Sequence, residues 1–127
     1  ITATVYIYNL GLSSIPDDLS SPILKNHFAQ TVQDIYEVEK RGHYKSVKKS
    51  AEGITTLKAD KTGPQALFAD LSYIQSGRER LSRLYLFGHK QHFVKIRFTY
   101  DRSMQAQAEE KLTAFLNAMA DMIERNL

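Results

Sequence analysis

Three strand-like runs, 66–75, 80–87 and 92–100, follow one another with almost nothing between them. Their links, Ser76-Gly77-Arg78 and Gly88-His89-Lys90, are short and contain glycine. A chain that reverses in two or three residues can only lay the next strand antiparallel to the last, so these runs predict a meander joined by hairpins. In the third run Val94, Ile96, Phe98 and Tyr100 alternate with Phe93, Lys95, Arg97 and Thr99. That alternation predicts one buried and one wet face. The middle run is mixed. Arg80, Ser82, Leu84 and Leu86 share one side, and Leu81, Arg83, Tyr85 and Phe87 the other, which predicts a strand partly covered on both sides.

Two helical patterns flank the meander. Ser21-Pro22 is a start signal: a serine able to accept from free N–H groups, then a proline whose missing N–H is harmless at the first helical position. Leu24, Phe28, Thr31, Val32 and Ile35 then form an apolar stripe. Lys40 and Arg41 suit the negative end of the helix dipole, and Gly42 is the left-handed stop. Near the C-terminus Met104, Ala108, Leu112, Phe115, Leu116, Met119, Met122 and Ile123 hold a helical period as a core stripe, with Asp101 or Ser103 as the cap. Residues 3–10 read as a strand with Val5 and Ile7 toward the core, and Ile15-Pro16-Asp17-Asp18 as a turn. Residues 43–49 and 54–58 read as two short strands around Ala51-Glu52-Gly53.

The order β-α-β-β-β-β-β-α contains no βαβ alternation. It predicts an α+β fold, an antiparallel sheet of five to six strands with two long helices packed on it. The mixed 80–87 run favours helices on opposite faces, an α/β/α sandwich. At 127 residues the chain is one domain, 1–127, large enough for its own core. No apolar run approaches 18 residues, so no membrane span is expected. The chain opens at Ile1, inside a strand-like run and without a leader, and reads as processed or cut from something longer.

Charge is unevenly spread. Residues 40–102 hold 14 Lys/Arg against 5 Asp/Glu, a surplus of nine positive charges, whereas the rest of the chain has an acidic surplus of six. The strands are basic and the helices acidic, so a sheet with one open face would present it as positive. On such a face Lys95 and Arg97 would align with Arg83 and with Lys45 or Lys48, and Phe93, Tyr73 and Tyr85 would stand among them. The partner-binding residues expected are Lys48, Arg83, Tyr85, Lys95 and Arg97.

Catalytic patterns are sparse. There is no cysteine, hence no thiol nucleophile, disulfide or thiolate metal site. Neither Gly-x-Ser-x-Gly, a Walker loop, GxGxxG nor HExxH occurs. Glu109 and Glu110 point about 100° apart on a helix and form no dyad. His89 and His92 read as solvated turn residues rather than metal ligands. His27 reads as a helix-edge residue and His43 as a carbonyl cap. No catalytic residue, metal site or cofactor is expected.

The strand TATVYIYNL, the long helix after it, the hairpin ERLSRLYLFGHKQHFVKIRFTY and the closing helix AEEKLTAFLNAM carry a resemblance. In their order the chain is similar to the later part of the PsbP-like fold group, named for an extrinsic photosystem II protein and including small bacterial secreted or lipoprotein relatives. The group's usual opening strands have no counterpart here. The resemblance implies a non-catalytic binding or assembly module of the bacterial cell envelope, periplasmic or secreted. Its partner would be a protein or anionic ligand, met through the basic sheet. Two alternatives stay open: a nucleic-acid-binding domain using the same sheet, which would suit a cytoplasmic protein, and a small hydrolase or isomerase with a helix–sheet pocket.

Overall fold

A computed structural model describes residues 1–125. The elements are β1 (Thr2–Tyr8), α1 (Pro22–Lys40), β2 (Lys45–Thr56), β3 (Gln65–Gln75), β4 (Arg78–His89) and β5 (His92–Asp101). A single 3-10 turn (Arg102–Met104) then leads into α2 (Gln105–Arg125). The fold is α+β, with one five-stranded antiparallel sheet in the order β1-β5-β4-β3-β2. Among the described residues no helix is long and apolar enough to cross a membrane.

The two helices lie on opposite faces. On one face Leu24, Phe28, Val32 and Ile35 of α1 pack on Leu67, Ala69, Leu71, Leu84, Leu86 and Phe93. On the other, Ala108, Leu112, Leu116 and Ala120 of α2 pack on Tyr85, Phe87, Val94, Ile96, Phe98 and Tyr100. Successive strand residues point to opposite sides, so Leu84 and Leu86 serve one core and Tyr85 and Phe87 the other. This is why β4 reads as mixed. It also removes the single open basic face expected from the charge pattern. Phe93 and Thr99, placed on the wet side of β5, are 1% and 8% exposed, because Phe93 packs beneath α1 and Ile15, and Thr99 sits against Ser82.

The helix ends obey local rules. The Ser21 side chain accepts from the Ile23 N–H at 3.3 Å with Pro22 at the first helical position. At the other end the Gly42 N–H donates to Glu39 O at 2.9 Å and the His43 N–H to Val38 O at 3.2 Å. Gly42 takes φ 82° there, the left-handed stop of a Schellman motif. His43 therefore caps through its backbone.

Several expectations are corrected. Residues 45–56 form one strand, because β2 pairs with β3 from Lys45–Ile74 to Thr56–Gln65 and two register shifts absorb the change of phase. Ala51-Glu52-Gly53 runs straight through. Gly88 is a buried β4 residue paired with Phe93, and the hairpin turns at Lys90 (φ 48°) and Gln91 (φ 66°). Gln91 holds its place by accepting from the Ile15 N–H at 3.0 Å. Ile7 is 65% exposed at the free edge of the sheet, beyond the α2 core that Val5 reaches. Met104 and Met122 are 38% and 49% exposed, so they leave the stripe, and Ala120 takes a core position instead. Asp101 caps nothing with its side chain. Its carboxylate faces Arg78 and Arg80.

Candidate functional site

The antiparallel register decides which cations meet. Arg97 on β5 lies opposite Leu84 and Thr4, and Lys95 opposite Leu86 and Tyr6, so both stand on the α1 side. Arg83 lies opposite Phe98, and Tyr85 opposite Ile96, on the α2 side. Lys48 is exposed on β2, the edge strand farthest from β1, opposite Ser72. The expected surface of Lys48, Arg83, Tyr85, Lys95 and Arg97 is thus not one surface. Only Lys95 and Arg97 are brought together, with Tyr73 and Phe93 on their side of the sheet.

Arg97 floors a cleft of about 210 Å3 lined by Thr4, Tyr6, Tyr44, Tyr73 and Arg80 among others. Its side chain reaches across β4 toward β3. Nε donates to Ser82 Oγ at 3.0 Å, and Nη2 donates to the hydroxyls of Tyr44 at 3.1 Å and Tyr73 at 3.2 Å. Those two rings stack, with centroids 3.9 Å apart and planes 20° from parallel. Ser82 is itself fixed by Thr99, Oγ to Oγ1 at 3.2 Å. Burial works against the Arg97 charge, but the hydrogen bonds and phenol oxygens of Tyr44 and Tyr73 outweigh it and hold the guanidinium above its ordinary range. Burial, then hydrogen bonding to Tyr44, raise the Tyr73 phenol.

What Arg97 lacks is a carboxylate. Among the described residues Arg78, Arg80, Arg83 and Arg102 each have one within 4.0 Å, and Arg97 has none. Lys95 beside it has none either, and its ammonium lies 4.4 Å from the Tyr6 ring centroid. Burial lowers the Lys95 pKa, Asp34 pulls it back up, and Arg97 lowers it further. The cleft thus offers guanidinium and hydroxyl donors with no carboxylate among the described residues that line it, an arrangement that favours an anion.

Arg83 is the opposite case. Its Nε lies 3.4 Å from Asp70 Oδ1 and its Nη2 3.0 Å from Glu109 Oε1, on the side of a 530 Å3 groove bounded by Tyr85, Leu112 and Leu116. Burial raises the Asp70 pKa, Arg83 opposes that, and Glu109 adds to it. Tyr85 is pushed up to about 12, chiefly by burial. This cation is already neutralised and joins sheet to helix.

No protein-family model matches the chain, and no curated protein or solved structure does so.

Among the described residues no histidine lines the cleft. His89 and His92 face each other across the β4–β5 hairpin, and His92 Nδ1 lies 2.9 Å from Lys90 O. No group of three His, Asp or Glu that could hold a metal occurs among the described residues. His27 is more enclosed than a helix-edge residue. Its Nε2 is hydrogen-bonded to the Tyr8 hydroxyl at 2.6 Å, and its ring centroid lies 4.3 Å from that of Phe93. Sequence reasoning missed Tyr44, Arg80 and the β1 residues Thr2 and Thr4 as neighbours of Arg97. The strand parity of Arg80, Thr2 and Thr4 becomes informative only once the register is known, and Tyr44 lies in the turn before β2.

Proposed function

We propose that this domain is a non-catalytic binding module that holds an anionic group of its partner in the Arg97 cleft. One observation carries the reading: a half-buried guanidinium is fixed by three neutral hydroxyls and, among the described residues, has no carboxylate within 4.0 Å. Withdrawing a charge from water is costly unless it is paired. A fold that encloses Arg97, orients it on Ser82, Tyr44 and Tyr73, and leaves it unneutralised keeps it ready for a negative ligand. Among the described residues the cleft wall holds no histidine or carboxylate to act as a base, which supports holding rather than turnover. The envelope setting rests on the resemblance in element order to the PsbP-like group. Nucleic acid receives less support, since base stacking needs an open sheet face and helices lie over both.

The test is thermal unfolding in citrate or phosphate against chloride at matched ionic strength. Binding to the native state raises the midpoint with ligand concentration. The wild type should show a saturable rise that Arg97→Gln loses. Equal shifts in both proteins would sink the proposal.

A further inference from the structure

We infer that the group held in the Arg97 cleft is a phosphoryl dianion, clasped between Arg97 and Arg80. This rests on the anion-binding reading above and names its ligand. A guanidinium has five N–H donors. In Arg97 the Nε donor goes to Ser82, and Nη2 supplies the bonds to Tyr44 and Tyr73. The two N–H groups of Nη1 have no acceptor among the described residues. Arg80 lines the same cleft. Its Nε is buried 3.2 Å from Asp101 Oδ1, close enough to pair as charges but without hydrogen-bond alignment. Neither of its Nη nitrogens makes a hydrogen bond to a described residue. Thr2 and Thr4 add hydroxyls on the β1 side.

Charge selects the ligand. Arg80, whose Nε lies 3.2 Å from Asp101 Oδ1, shares that carboxylate with the exposed Arg78 outside the cleft at 3.5 Å and is only partly neutralised. Arg97 is a second guanidinium, with no carboxylate partner among the described residues. A carboxylate ligand would neutralise one of these. A phosphoryl group carries nearly two negative charges at neutral pH and three acceptor oxygens, which matches two guanidinium edges and the hydroxyls around them. The volume of about 210 Å3 is below that of sites for drug-sized molecules, so the cleft takes free phosphate or a monoester with a short substituent.

The experiment is calorimetric titration with inorganic phosphate, methyl phosphate, dimethyl phosphate and acetate. It is run at about pH 8.5, above the monoester second pKa of about 6 and high enough that inorganic phosphate is also a dianion. Phosphate and methyl phosphate should bind at least roughly tenfold more tightly than dimethyl phosphate and acetate, a step of about 1.4 kcal/mol. The tighter of the two tells free phosphate from ester. Arg80→Gln should erase the dianion preference and leave acetate binding, whereas Arg97→Gln should abolish both. In wild-type amide spectra phosphate should shift Thr4 and Thr99, a readout that needs no variant to fold. Equal affinity for acetate and phosphate, both lost with Arg97, would overturn the dianion and leave the anion site standing. No binding of any probe, or shifts confined elsewhere, would overturn both.

Discussion

The Arg97 guanidinium donates to the Tyr73 hydroxyl at 3.2 Å, where a structural arginine would meet a carboxylate. Arg83, one strand away, meets Asp70 and Glu109. The two side chains should therefore respond differently to removal of charge. Taking away Arg83 strands a half-buried acid whose pKa burial already raises, so Arg83→Met should cost about 1–3 kcal/mol. Arg97→Met removes a charge that no carboxylate of the described residues pairs and should fall within about 1 kcal/mol of wild type. Urea midpoints of the two variants check this. A larger loss at Arg97 than at Arg83 would make Arg97 a structural residue.

The tyrosine hydroxyls should matter for binding through their aim. Tyr44→Phe and Tyr73→Phe keep the ring stack and delete one acceptor of Arg97 each. Each should weaken phosphate binding about threefold to tenfold, the worth of one hydrogen bond. Phosphate titrations of the two variants provide the measurement. Unchanged affinity in both would mean that the hydroxyls do not orient Arg97.

Gly88 is required by a crossing of chains. A Cβ built there would overlap the carbonyl oxygen of Pro16, which belongs to backbone and cannot swing away. Gly88→Ala should destabilise by about 1–3 kcal/mol or more, as overpacking does. It should also loosen the Ile15 loop, visible as faster amide exchange at Ile15. Wild-type stability would show that the loop does not pack on β4.

His27 predicts an acid-side dependence of stability. Burial first, then Lys95, lower its pKa below the ordinary 6.5, while Asp34 opposes them. The unfolded chain therefore binds more protons than the native one as pH falls below about 6.5, and stability declines there on acidification. His27→Gln should flatten that part of the pH–stability profile, measured by urea unfolding between about pH 7 and pH 5. An unchanged slope would remove His27 as its source.

Local chemistry was legible where it acts locally. Ser21-Pro22 and Gly42 begin and end α1 because capping needs only neighbouring atoms. The stripe from Leu24 to Ile35 is buried as its spacing predicts. The mixed pattern of 80–87 announced two cores, and the α/β/α layering follows from it. Where the reading went astray, a long-range partner had overruled a local signal. Gly88 looks like a turn residue, but Pro16 is what it accommodates. Lys90 and Gln91 adopt the positive φ values that the hairpin demands, with Ile15 held on Gln91.

The site divides the same way. Lys95 and Arg97 could be placed on one side of β5 by parity within that strand. Whether Arg83 joined them depended on register, since a shift of one residue moves a side chain to the other face. The register carries Arg83 to Asp70 and Glu109 on the α2 side. By itself the sequence determined β1, the meander of β3 to β5, the helices and the surplus of positive charge on the sheet, because propensity, period and composition are properties of short stretches of chain. Only the tertiary structure decided which of those charges are paired. Pairing depends on distances across strands of different sequence separation, and those distances left Arg97 among hydroxyls and Arg83 among acids.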